Sequence, residues 1–137
     1  SYGPGCKGDR LYLKMDGRKV YEYAVQTVPG VVRDSLERAG LTLADVAKVL
    51  VHQANAKMDD AILRRLFRLY GVDEATDGNM PMTISWLGNS SVATLPTLFD
   101  RIRRGCMRGH ELAPDDVIVF ASVGAGMNVN SLVYRCP

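Results

Sequence analysis

The sequence lacks the signatures of several broad functional classes. No apolar run approaches the ~18 residues of a membrane-spanning helix, and there is no signal peptide. Cysteine is scarce: Cys6, Cys106 and Cys136 are an odd number, with no CxxC or Cys/His spacing. That excludes a disulfide framework and a zinc site by pattern, and leaves reduced thiols in a cytoplasmic compartment as the expectation. Charge of one sign is also missing. The 17 Lys and Arg nearly balance the 15 Asp and Glu, so a net +2 gives no argument for nucleic acid or a membrane surface. There is no internal repeat and no low-complexity segment.

What is present suits an ordinary soluble domain. Hydrophobic residues make up 47% and charged residues 23% of the chain, a globular balance. At 137 residues the length fits one domain, able to bury roughly two thirds of its unfolded surface. The opening SYGPGCKGDR is turn-rich and lacks an initiating Met. We therefore expect an irregular leader over 1–10, a domain over 11–137, and a fragment or processed chain rather than a complete gene product.

Hydrophobic periodicity sets the order of elements. LYLKM (11–15) alternates like a short strand. From Asp16, a good N-cap, Val20, Ala24, Thr27, Val31 and Leu36 recur at helical spacing. Pro29 is expected to break that run and start a second helix, which Gly40 would close. Thr42 caps a short turn. VAKVLVH (46–52) reads as a strand buried on both faces. The spacing then predicts a helix over 56–70, with Met58, Ile62, Leu66 and Leu69 on one side and Lys57, Arg64 and Arg68 on another.

MTISW (82–86) reads as a further strand and Ser90 to Cys106 as a helix, with Pro96 in its first turns or kinking it. Strands over 115–123 and 127–135 flank the Gly124-Ala125-Gly126 turn. This alternation predicts an α/β fold: a mainly parallel five-stranded sheet with a C-terminal antiparallel hairpin and helices on its faces.

In such sheets ligands collect beyond the carboxyl ends of the strands. Three polar or glycine-rich clusters fall there: His52-Gln53-Ala54-Asn55, Gly88-Asn89-Ser90-Ser91, and Gly124-Ala125-Gly126. Each has a structural reading of its own. A lone histidine after an apolar strand is commonly a hydrogen-bonded structural residue, Asn55 and Asn89 stand where N-caps stand, and GAG is an ordinary tight turn. Together they offer an imidazole N–H, a carboxamide and backbone amides at one rim, an arrangement able to hold a developing oxyanion.

Four segments resemble one known family. VHQANAKMDDAI is similar to the His-Gln-Ala-Asn segment of β-ketoacyl-acyl-carrier-protein synthases of type III. GNSSVATLP resembles their Gly-Asn-(Thr/Ser)-Ser-Ala segment, FASVGAGMNVNSLVYR their C-terminal glycine-loop hairpin, and LKMDGRKVYEYAV the strand and helix that open their second half. The order and spacing also agree, over nearly the whole chain.

The resemblance implies the C-terminal half of a thiolase-like fold, whose catalytic triad is Cys-His-Asn. Carried over by motif, His52 is the catalytic histidine and Asn89 the catalytic asparagine. The nucleophilic cysteine belongs to the family's first half, and neither Cys6, Cys106 nor Cys136 replaces it by context. Asn55 stands where the family contacts the pantetheine arm. Gly124, Ala125 and Gly126 stand where backbone amides form the acyl oxyanion hole, with Ala125 in place of the usual glycine. Val123 replaces a bulky aromatic found just before that loop.

The implied enzyme is a cytoplasmic acyltransferase of fatty-acid initiation, catalysing a decarboxylative Claisen condensation. Its substrates would be acyl-CoA and malonyl-acyl-carrier protein, with no permanently bound cofactor and no metal. Its partners would be acyl carrier protein, coenzyme A thioesters, the N-terminal half of the same enzyme and a second copy in a homodimer. The isolated chain is expected to be inactive. Lys57, Arg64 and Arg68 are either a solvated helix face or a docking surface for an acidic carrier protein. Two alternatives stand beside this reading: a related condensing enzyme of specialised metabolism, and a non-catalytic module that binds acyl thioesters or carrier protein.

Overall fold

The structure, a computed structural model, describes residues 16–73, 77–124 and 126–137. The leader over 1–10, the strand expected over 11–15 and Ala125 lie outside the described residues.

The first described element is helix α1 (Gly17–Arg38), capped by Asp16, whose carboxylate accepts from the Lys19 N–H at 3.2 Å. Pro29 does not break it. One continuous helix carries Ala24, Val28, Val32 and Leu36, all buried, along a single i+4 row that runs past the proline, itself buried. An interior proline costs about 3 kcal/mol. Burying three large aliphatic side chains on one face contributes about 1.5–3 kcal/mol each, so packing on both sides of the proline outweighs the lost bond. The helix ends where its handedness must reverse: Gly40 adopts φ +68, and the Leu41 N–H reaches back to the Leu36 carbonyl at 2.9 Å. A 3-10 turn over Leu43–Asp45 follows, tied by the Thr42 N–H to Asp45 Oδ2 at 2.8 Å.

Strand β1 (Val46–Val51) leads into helix α2 (Ala56–Leu69), capped by Asn55, whose Oδ1 accepts from the Met58 N–H at 2.9 Å. Met58, Ile62 and Leu66 are buried as the spacing predicts. Leu69 is not: it is 40% exposed, and Leu63 and Phe67 complete the apolar face instead. The 82–86 segment is a second correction. It is no strand; Ile84–Leu87 form a short helix, α3. Pro81 can donate to no ladder, and the Thr83 and Ile84 N–H groups are both taken by the side chain of Gln53.

After a 3-10 turn over Ser91–Ala93 comes helix α4 (Thr94–Arg103), with Pro96 in its first turn. Strands β2 (Val117–Gly124) and β3 (Asn128–Arg135) form the C-terminal hairpin. The sheet therefore has three strands among the described residues, in the order β1-β2-β3, where five were expected. β1 and β2 run parallel, and β2 and β3 antiparallel, with Gly124 opposite Asn128. The α/β class holds.

The period-2 alternation of the strands divides the core in two. Val49, Val51, Val117, Val119 and Ala121 face α1 and α2. Leu50 and Ile118 face the other way, against Leu98 and Ile102 of α4. On that second face Phe99 meets Phe120 and Tyr134 edge-on, with ring centroids 5.4 and 5.6 Å away, the geometry aromatic pairs prefer. Both sheet faces are thus covered, and the loops at the carboxyl ends of β1 and β2 are set on a packed base.

Candidate functional site

His52 leaves β1 at its carboxyl end. Its backbone N–H still donates to the Ala121 carbonyl at 2.9 Å, one step beyond the last paired residues, Val51 and Ala121. The imidazole is half-buried. Because β1 and β2 are parallel, the same edge carries Gly124 and the hairpin turn. At Gly126, φ is +79, and a Cβ there would stand 3.1 Å from the Asn128 side-chain nitrogen. The positive φ is what favours glycine at this position; the Asn128 side chain would need to give by only a few tenths of an ångström.

Asn89 arrives from a different direction. α3 stops at Gly88, and Asn89 Oδ1 then accepts from the Ser91 N–H at 2.8 Å. This is an Asx-type turn rather than the N-cap of a full helix, with Ser91 at φ 54. The consequence is directional. With the carbonyl oxygen engaged by its own backbone, the exposed Asn89 side chain has its NH₂ group to offer a ligand, and that group is a donor.

The link between these two loops is Gln53, which the sequence reading passed over. Its side chain is fully buried. Nε2 donates to the Pro81 carbonyl at 2.9 Å. Oε1 accepts from the Thr83 N–H at 2.9 Å, from the Ile84 N–H at 3.0 Å and from Thr83 Oγ1 at 3.3 Å. One carboxamide next to His52 therefore grips both the approach to α3 and its first N–H groups. α3 in turn is steadied from above, where the Arg101 guanidinium lies 4.4 Å from the centre of the Trp86 ring. Among the described residues no hydrogen bond joins the His52 imidazole to the Asn89 amide. Their loops are tied through Gln53.

The remaining sequence candidates fall as follows. Asn55 is exposed and spends its Oδ1 on capping α2. Gly124 is exposed at the end of β2, beside Gly126 in the turn, and Ala125 lies outside the described residues. Lys57, Arg64 and Arg68 are all exposed on α2, and Arg64 is paired with Asp60 at 2.9 Å. Asp59, unremarked in the sequence, is fully buried in the first turn of α2, with no hydrogen bond of good geometry at either carboxylate oxygen and only the Ala54 backbone N–H close by. Burial pushes its carboxyl up to about 7, and the backbone N–H of Ala54 pulls it only partly back. A cavity of about 270 Å³, lined by Phe99, Arg103, Leu112, Tyr134 and Cys136, lies at the opposite end of the hairpin.

Residues 36–136 match the sequence model of the family described as 3-oxoacyl-[acyl-carrier-protein] synthase III, C-terminal. The chain belongs to this family. The β-ketoacyl-[acyl-carrier-protein] synthase III of Microcystis aeruginosa is 32% identical over 129 residues, covering 94% of this chain and 35% of that protein. Among solved structures, the β-ketoacyl-[acyl-carrier-protein] synthase III of Thermus thermophilus superposes with a TM-score of 0.76 at 28% identity, over 95% of this chain and 36% of that one. The priming β-ketosynthase of the R1128 polyketide pathway gives 0.74 at 30% identity, over 90% and 34%. The chain thus spans about a third of the length of these synthases. Gln53, inside the HQAN segment, bonds to Pro81, Thr83 and Ile84, which precede the GNSS segment in the chain. No helix among the described residues is long and apolar enough to cross a membrane.

Proposed function

We propose that this chain supplies the histidine and asparagine donors of a type III β-ketoacyl-acyl-carrier-protein synthase. The observation that carries the reading is the tie between the two donor loops at the carboxyl edge of a parallel strand pair, where the glycine turn also lies. The nucleophile would be the cysteine that the family resemblance assigns to the first half of the synthase; the synthases this chain is similar to are about three times as long.

In this mechanism the cysteine thiolate attacks the carbonyl carbon of an acyl-CoA, and the coenzyme A thiolate leaves. Malonyl-carrier protein then binds, with Asn55 at the pantetheine arm. Its C–COO⁻ bond breaks, CO₂ departs, and the bonding pair moves into an enolate whose negative charge rests on the thioester oxygen. His52 and Asn89 donate to that oxygen. The directed Asn89 NH₂ suits the task, and His52 needs a proton on the nitrogen facing the substrate. The enolate carbon attacks the acyl-cysteine carbonyl, whose oxygen is held by the amides of the Gly124–Gly126 turn, and the cysteine thiolate is expelled. No permanent cofactor takes part.

Lys57, Arg64 and Arg68 form the docking face for the acidic carrier protein. Lys57 and Arg68 carry most of the steering, because Arg64 is already neutralised by Asp60. The assembled enzyme works as a homodimer in the cytoplasm. A second reading within the family, a priming enzyme of specialised metabolism, is favoured by the 30% identity to the R1128 ketosynthase and by Val123 before the turn. A panel of acyl-CoA primers separates the two.

The test is malonyl-carrier-protein decarboxylation by the full-length protein. His52→Ala and Asn89→Ala should each lower the rate about 10²–10³-fold, the loss typical of one oxyanion donor. Unchanged decarboxylation in both variants would refute the roles given to His52 and Asn89, whereas a full-length wild type without any decarboxylation would leave a non-catalytic binding module.

A further inference from the structure

Gln53 is one of four buried polar or charged residues among those described, and it alone bridges the two loops that carry the proposed donors. Its bonding leaves no freedom. The NH₂ end meets Pro81 O, and the oxygen end meets Thr83 N, Ile84 N and Thr83 Oγ1, so a flipped amide would set donor against donor. Gln53 adjoins His52 in the chain, while Thr83 and Ile84 open the short helix that ends at Gly88, immediately before Asn89. α3 is only four residues long. It is too short to hold its place by its own hydrogen bonds, and its side chains are not buried. Its position depends on Gln53 at one end and on the Arg101–Trp86 contact at its side.

We propose that Gln53 is a positioning residue that sets the placement of the Asn89 amide relative to the His52 imidazole. The inference rests on the condensing-enzyme reading and deepens it, giving one buried amide the task of registering two donors from separate loops. Oxyanion stabilisation depends on donors fixed before charge develops, and a displacement near 1 Å can cost about 10²-fold.

The chemistry of the bridge allows a test that a merely structural glutamine would not pass. Gln53→Met removes all its polar bonds. Gln53→Glu keeps the shape and the acceptor for Thr83 and Ile84, but an ionised carboxylate turns an acceptor toward Pro81 O. Once protonated, the introduced carboxyl again has one donor and one acceptor, the pattern of the native amide. In the full-length protein, with malonyl-carrier protein as substrate, we expect Gln53→Met to lower kcat by about 10–100-fold with KM nearly unchanged. Relative to wild type at each pH, the Gln53→Glu rate should be low in alkali and climb as the pH falls, while the Gln53→Met ratio stays flat.

Thermal unfolding of each variant shows that the rate belongs to folded protein. A folded Gln53→Met enzyme with kcat within about twofold of wild type, or a Gln53→Glu ratio indifferent to pH, overturns the proposal. His52→Ala in the same assay keeps the two readings apart. If that change has no effect, the condensing-enzyme reading fails; if it is severe while Gln53 variants are active at every pH, only the positioning role fails. Should neither Gln53 variant fold, hydrogen exchange in the wild-type protein decides. Slow Thr83 and Ile84 amides support the bridge, and amides exchanging as fast as exposed loops refute it.

Discussion

Asp59 is the residue at which sequence and environment conflict most openly. A carboxylate sits fully buried beneath the HQAN loop without a hydrogen-bond partner at good geometry, and its carboxyl is raised from 3.8 to about 7 by burial. The sign of the linkage follows. A raised acid is protonated more readily in the folded state, so its contribution to stability is complete below the unfolded value and is lost as the pH climbs through the folded one. Asp59→Asn removes that titration. The variant should gain roughly 2–4 kcal/mol on the wild type between about pH 4 and pH 8, measured by denaturant unfolding at both values. Equal pH dependence in the two proteins would mean that Asp59 is solvated or paired. Neither Asp59 nor Gln53 was legible in the sequence, for a shared reason. Their roles depend on backbone groups or packing brought near by the fold, and the partners of Gln53 lie about thirty positions downstream. Backbone carbonyls and amides leave no mark in a sequence. His52 and Asn89 stand out in the sequence because their segments carry a resemblance, not because an isolated His or Asn announces chemistry.

At the scale of elements, the strands over 46–52 and 115–123 were readable from their apolar runs and that over 127–135 from its alternation after a glycine turn. The misread elements each contained a proline or a competing side chain. Pro29 looked like a boundary, yet the row from Ala24 to Leu36 is buried continuously; alternation over 82–86 looked like a strand, yet Gln53 had claimed its N–H groups. Two predictions test the helix ends. Asn55 caps α2 through Oδ1 alone, so Asn55→Asp should preserve stability while Asn55→Ala loses about 1 kcal/mol. If the NH₂ end also serves the pantetheine arm, Asn55→Asp should still raise KM for malonyl-carrier protein. Gly71 sits at φ +73 with open space around its Cα, and the Val72 N–H returns to the Phe67 carbonyl at 3.1 Å. Gly71→Ala should therefore cost about 1–2 kcal/mol through backbone strain alone, read as a shift in the denaturant midpoint without a change in slope.

Across the whole molecule, apolar surface gathers beside the proposed donors. Trp86 is 53% and Val92 90% exposed on either side of Asn89, and Leu87 is also exposed. Large exposed apolar groups in one stretch favour association. Sedimentation of the 137-residue chain should show a concentration-dependent increase in mass, which Val92→Ser reduces; a strictly monomeric chain at all concentrations would count against it. The order of strands carries a kinetic consequence. β1 and β2 are neighbours in the sheet, yet residues 52–116 lie between them, and that intervening stretch contains His52, Gln53, Thr83 and Asn89. Pairing the two strands must first close this long loop, an entropic toll that makes non-local sheets slow to form. Refolding and the appearance of the proposed donor pair should therefore share one time course, because the stretch that must loop back to seat β2 is the one that carries both donors.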